Sequence, residues 1–359
     1  MMIRFLLCFP IWFGFQHLVP PDSPGKPKNI ILVIGDGMGL AHIALAEYLH
    51  KPPSPLGQME VIGLQKTHSA DNLETDSGAA ATAMSCGVKT FNSAIGENAD
   101  SITVRSIMEM AHDHGMKTGF VVTCSVVHAT PAAFYAHVDS RGSYELIAQQ
   151  LCNANIDVFV GGGERYFYNR ATDASDLLDD LKQHDYDVIR SYDTQGKYRI
   201  DGIGKEQRIA CFTAFEDPPR ASSGRNYLPI MAVKAMEALN KRSDNGYFMM
   251  VEGSQIDWAA HANDADWLTY EMQDFYDMLA LLLKKVWDDG NTLLIVTADH
   301  ECGYLSLKGK KTPRLEFGSK VHSSQMVPVF ATGPGAEEFL GIYENTAIFD
   351  KMKALLSLD

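Results

Sequence analysis

Nearly unbroken apolar runs alternate along this chain with stretches of helical periodicity. Asn29-Ile30-Ile31-Leu32-Val33-Ile34 is one such run, closed by Gly35-Asp36-Gly37-Met38-Gly39. The pattern recurs at 118–123, 157–163, 247–251, 292–297 and 327–331, with shorter runs at 187–189 and 209–212. A strand covered on both faces reads this way, because neither side chain row meets water. Helical spacing is found at 41–50, 101–114, 144–152, 176–182, 229–240, 264–287 and 346–356. The alternation predicts an α/β fold with a central, mostly parallel sheet and helices on both faces. Segments 165–207 and 305–321 are the least patterned and read as surface excursions. Residues 29–359 are therefore expected to form a single elaborated domain.

Composition sharpens this picture at the N-terminus. Arg4 precedes an apolar run from Phe5 to Phe15, which is too short to span a bilayer comfortably. Residues 1–19 are read as an export signal with no clear cleavage point, and the Pro-rich stretch 20–28 as a linker. The expected location is secreted or periplasmic. No stable membrane span is foreseen. Removing the signal would leave five cysteines: Cys86, Cys124, Cys152, Cys211 and Cys302. Export permits disulfides, but spacing does not give their pairing. No Cys-x-x-Cys occurs, so a thiolate zinc site is not indicated. The formal net charge is −14, which argues against a nucleic-acid-binding role. It also sits oddly with an anionic substrate, unless bound cations reverse the sign locally.

The candidate chemistry gathers where runs end. Asp36, Glu252 and the pair Asp299-His300 each follow a strand closely, and His128 and Thr130 lie just beyond another. Ligands of open α/β sheets bind beyond the carboxyl ends of the strands, so these residues are expected at one edge. Asp257 and His261 are four apart. A helix starting near Asp257 would put both on one face, able to grip one metal. Carboxylate and imidazole suit Zn²⁺, while Asp36, Thr130 and Glu252 form an all-oxygen set better suited to Mg²⁺. Thr75-Asp76-Ser77 precedes a run of small residues from Gly78 to Met84 that is expected to be helical. By itself Ser77 reads as a helix-capping serine. It would also lie beside free N–H groups that favour phosphate.

Five separated segments resemble alkaline phosphatases. They are Gly35-Asp36-Gly37-Met38-Gly39, Thr75 to Ala83, His128-Ala129-Thr130-Pro131 running to Ser140-Arg141, Glu252 to Asp257 with His261, and Thr297-Ala298-Asp299-His300. A weaker sixth is Val321-His322-Ser323-Ser324. The resemblance implies an enzyme that hydrolyses phosphate monoesters through a phosphoserine at Ser77, with broad substrate range. Asp257, His261 and His322 then match the ligands of one zinc. Asp36, Asp299 and His300 match those of a second zinc, to which the Ser77 oxygen also binds. Asp36, Thr130 and Glu252 match a magnesium site, and Arg141 matches a clamp on phosphate oxygens. A homodimer is likewise implied. Rival readings on the same scaffold are a phosphodiesterase, a sulfatase or a non-catalytic phosphate- or metal-binding protein. Arg141 favours monoesters over diesters, which have one fewer charged oxygen to clamp. His128 stands where some bacterial members have Asp, and Trp258 where they have Lys. Asp76 could orient Arg141 or cap the helix.

Overall fold

The computed structural model describes residues 25–168, 170–173, 175–191 and 208–358. The expected export signal and most of the linker lie outside the described residues, as does much of the excursion between 165 and 207. Fourteen strands are present among those described: β1 Asn29–Gly35, β2 Val61–Lys66, β3 Lys117–Ser125, β4 Val158–Gly162, β5 Tyr186–Arg190, β6 Arg208–Phe212, β7 Tyr247–Gly253, β8 Thr292–Thr297, β9 Glu301–Cys302, β10 Leu305–Lys308, β11 Arg314–Phe317, β12 His322–Ser323, β13 Val327–Thr332 and β14 Gly341–Glu344. The helices are α1 Leu40–Leu49, α2 Ser77–Cys86, α3 Ile107–Asp113, α4 Ala129–Ala132, α5 Tyr144–Asn153, α6 Arg165–Tyr168, α7 Leu177–Gln183, α8 Leu228–Arg242, α9 Gln255–Ala262, α10 Ala265–Asp289 and α11 Thr346–Leu356.

Ten strands form one sheet in the order β14-β2-β13-β8-β1-β7-β3-β4-β6-β5. Only β13 runs against its neighbours, β8 and β2. The continuous apolar runs are explained by what lies on each side. Ile30, Leu32 and Ile34 of β1 face one core with Phe120, Val122, Phe248 and Met250. Ile31 and Val33 face the other, with Met249, Val251 and residues of α8 and α10. Both faces of the central strands are dry, so alternation disappears from the sequence.

Three differences from expectation have local causes. Strand β2 reads less clearly because one of its inward positions is the fully buried Gln65. Its Nε2 donates to Thr297 Oγ1 and Ala298 O, both at 2.7 Å. A polar residue there anchors the end of β8 immediately before Asp299. Helix α3 starts at Ile107, not near Ser101, because Ser106 and Glu109 form a reciprocal capping box. Within 305–321, the least patterned segment read as a surface excursion, β10 and β11 pair as an antiparallel hairpin.

Candidate metal and phosphate centre

The sheet order brings β8, β1, β7 and β3 side by side. Residue pairing is in step across them: Ile34 lies level with both Glu252 and Thr297, and Val122 with Glu252. Parallel strands in register end at one edge, so Asp36, Glu252 and Asp299 emerge together there. Gly37 must follow Asp36. Its φ is +71°, and a Cβ would lie 2.9 Å from both Asp257 Oδ1 and Cys302 Cβ. Only glycine accepts that backbone and that closeness without strain.

Two clusters of metal-binding groups form at this edge. In one, Asp36, Asp299 and His300 offer ligand atoms all within 4.8 Å of one another. His300 Nε2 is 3.2 Å from Asp299 Oδ2 and 3.6 Å from Asp36 Oδ1. The other oxygen of Asp299 accepts from the N–H groups of Gly37 and His300, which fixes the carboxylate. In the second cluster, Asp257 and His261 share one face of α9, as their spacing predicts. His261 Nε2 lies 3.3 Å from Asp257 Oδ2, and His322 Nε2 lies 3.5 Å from Asp257 Oδ1. His261 Nδ1 sits 2.6 Å from Lys320 O, and His322 Nδ1 sits 2.7 Å from Thr75 O. A carbonyl can only accept, so each Nδ1 carries a proton, and the two Nε2 atoms, 3.0 Å apart, are the ring nitrogens that face Asp257. The His300 and His322 rings stack at 3.6 Å, joining the two clusters.

Cys302 is the fourth member of this second cluster. Cysteine spacing gave no hint of it. The signal was its place two residues after His300, on a strand that pairs with His322. All five described cysteines are buried and unpaired by disulfides.

Glu252 and Thr130 form the third group. The Thr130 hydroxyl lies against the Glu252 carboxylate, and Cys124 Sγ lies 3.6 Å from Glu252 Oε2. His128 caps the short helix that carries Thr130. Its ring meets Trp258 edge-on at 5.5 Å. Burial, reinforced by the charge on Arg141, pushes its imidazole down to about 3, so it stands neutral.

Ser77 turns out not to be the cap. It is the first residue of α2, and Asp76 is the cap, with Oδ1 accepting from Ala79 N at 2.9 Å. Asp76 Oδ2 meanwhile accepts from Arg141 Nη1 at 2.9 Å. The residue with two candidate roles therefore performs both, one with each oxygen. Burial would raise the Asp76 carboxyl, but Arg141 and the Ala79 N–H outweigh it and hold it below the usual range. With capping done by its neighbour, the Ser77 hydroxyl is free. It is buried, and Oγ lies 3.4 Å from His300 Nε2.

The donor set fits divalent cations. Both Asp36 oxygens, Asp257 Oδ1 and Asp299 Oδ2 are buried with no hydrogen-bond partner. Burial, then the charges of Asp299, Asp257 and Glu252, push the Asp36 carboxyl well up. Buried carboxylates so placed repel one another unless cations lie between them. Asp36 is the hub, because it feels all three other acids.

The alkaline phosphatase family model matches residues 27–204 and 220–317. Alkaline phosphatase 4 of Bacillus subtilis (strain 168) is 32% identical over 344 residues, covering 89% of this chain and 72% of that protein. The solved alkaline phosphatase of the Antarctic bacterium TAB5 superposes with a TM-score of 0.89 at 41% identity, covering 93% of this chain and 99% of that one. Two variants of that enzyme, with a histidine replaced by Glu or by Asp, hold Mg in the M3 site; each is 39% identical to this chain, with a TM-score of 0.89, and covers 94% of this chain and all of its own.

Proposed function

Since the chain belongs to the alkaline phosphatase family of metal-dependent phosphate monoester hydrolases, we propose that Ser77 is its nucleophile and Arg141 its phosphate clamp. The observation that carries this is Ser77 Oγ, freed from capping and set 3.4 Å from His300 Nε2 of the Asp36–Asp299–His300 cluster. Asp257, His261 and His322 would hold one zinc. Asp36, Asp299 and His300 would hold a second, together with the Ser77 oxygen. Asp36, Thr130 and Glu252 would hold magnesium. Bound there, the cations supply positive charge that lowers the pKa of the Ser77 hydroxyl and steadies the leaving oxygen.

The chain's own residues do the rest. The N-terminus of α2 presents backbone N–H groups and the positive end of its dipole to the phosphoryl oxygens. Arg141, its guanidinium held by Asp76, offers a planar fork to two of those oxygens. Burial of Ser77 keeps bulk water away from the attacking oxygen. No named group grips the alcohol portion, so substrate range should be broad. His128, which caps the helix carrying Thr130, stands as a neutral imidazole with Nδ1 unpartnered. We read it as weakening magnesium there, in line with the relative whose histidine variants hold Mg. The same reading takes 29–359 as one catalytic domain, 1–19 as an export signal and the working form as a homodimer outside the cytoplasm. Among the described residues no helix is long and apolar enough to cross a membrane.

The test is chemical trapping. Enzyme mixed with labelled phosphate and quenched in acid should carry phosphate on Ser77 by peptide mass spectrometry. Ser77→Ala should retain its metals by elemental analysis while losing turnover by several orders of magnitude. Label on another residue, or an active Ser77→Ala enzyme, would remove the nucleophile assignment.

A further inference from the structure

We propose that Cys302 is a fourth protein ligand of the metal held by Asp257, His261 and His322. The proposal rests on the reading of that cluster as a metal site and adds to it a sulfur ligand. One ligand atom from each of the four residues lies within 4.8 Å of the other three. Four donors around a single ion, with bonds of about 2.0–2.3 Å, must be gathered at about this scale or closer. Nearby packing would allow a bystander thiol, but three features place this one deliberately.

Cys302 and His322 are directly opposed on the antiparallel pair β9 and β12, so their side chains leave the same face of the ribbon. The Cys302 N–H donates to Gly37 O at 3.0 Å, tying the strand to the turn after Asp36. That turn is closed so tightly that a Cβ on Gly37 would touch both Cys302 Cβ and Asp257 Oδ1. Finally, Asp257 Oδ1 is buried without a hydrogen-bond partner, and Asp257 itself is 5% exposed. That oxygen faces His322 Nε2 at 3.5 Å and the Cys302 thiol, so carboxylate, imidazole and sulfur converge on one buried point where a cation would find all of them as donors.

Thiolate is a soft donor that zinc accepts readily beside imidazole and carboxylate. On metal entry the sulfur would give its proton to solvent and donate an electron pair to the ion. The set Asp, His, His and Cys can fill a tetrahedron. Substrate would then enter as a fifth ligand, an expansion zinc allows. A sulfur ligand should tighten metal retention and soften the Lewis acidity of this ion relative to its neighbour.

The probe is Co²⁺. Full-length enzyme is stripped by chelator, reloaded with Co²⁺, and its metal content measured. The expected result is a near-ultraviolet sulfur-to-cobalt charge-transfer band in the unaltered enzyme. The band should vanish in Cys302→Ser and persist in Cys124→Ser, whose thiol lies by Glu252. X-ray absorption of the zinc enzyme should show a sulfur at about 2.3 Å. Cys302→Ser should also lose zinc to chelator at least ~10-fold more readily. Metal-loaded enzyme without the band or the sulfur shell would overturn Cys302 as a ligand while leaving the Asp257 site standing. A band that survives Cys302→Ser would overturn it equally. A chain that binds no metal would overturn both readings. If Cys302→Ser fails to fold, the zinc spectrum of the unaltered enzyme decides alone.

Discussion

Arg141 and Asp76 offer the sharpest kinetic prediction. Arg141 Nη1 donates to Asp76 Oδ2 at 2.9 Å, with the two side chains 26% and 19% exposed. At that exposure the pair contributes only about 1 kcal/mol by itself. Under the proposed clamp role, the value of Arg141 would lie instead in its contacts with phosphate. A charge-assisted hydrogen bond is worth about 1.5–3 kcal/mol, and a fork makes two that share one desolvation cost. Arg141→Ala should therefore cost about 3 kcal/mol, on the order of 100-fold in kcat/KM. Inhibition by inorganic phosphate should weaken in parallel. The truncation also strands the Asp76 carboxylate facing a dianionic substrate. Asp76→Asn removes that charge while leaving a side-chain oxygen to cap Ala79 N. The double variant Asp76→Asn/Arg141→Ala should accordingly recover about 1 kcal/mol, about fivefold, over Arg141→Ala alone. Steady-state hydrolysis of nitrophenyl phosphate by the wild type, both single variants and the double variant measures the cycle. An Arg141→Ala enzyme within about threefold of wild type would refute the clamp (3-fold being ~0.6 kcal/mol). A double variant no better than Arg141→Ala would refute the stranded charge.

Two further outcomes follow from the same contacts. Asp76→Ala removes both the cap and the pair and should cost about 2 kcal/mol of stability in urea denaturation, whereas Asp76→Asn should cost about half as much. Because the folded Asp76 carboxyl is held below its ordinary range, its charge-dependent share is fully present above about pH 4 and fades as pH falls through the lowered value; equal losses for Ala and Asn would deny the cap. His128→Asp adds an anionic oxygen donor two residues from Thr130, and magnesium affinity measured by calorimetry should rise at least ~10-fold; an unchanged affinity would separate His128 from that site.

Much of the architecture was legible because its cause is local. The apolar runs of β1, β7 and β8 read as doubly covered strands, and they are. The four-residue step from Asp257 to His261 read as one helix face, and α9 provides it. Strand β2 was hidden because its buried face carries Gln65, whose partners Thr297 and Ala298 are more than 230 residues away. No periodicity records a partner at that distance. Helix α3 begins at Ile107, later than the expected 101, because the Ser106–Glu109 capping box fixes its start there.

The sequence by itself determined the chemical inventory and the edge where it would collect. Strand ends, metal-ligand residue types and the segments around Ser77, Arg141 and His322 all depend on neighbours within a few residues. Tertiary structure decided which groups touch. It gave Asp76 both the cap and the guanidinium, which left Ser77 without the capping role. It also brought Cys302 among Asp257, His261 and His322, through a pairing of two-residue strands too short to leave a pattern. Those contacts depend on strand order and register, which short-range periodicity does not encode.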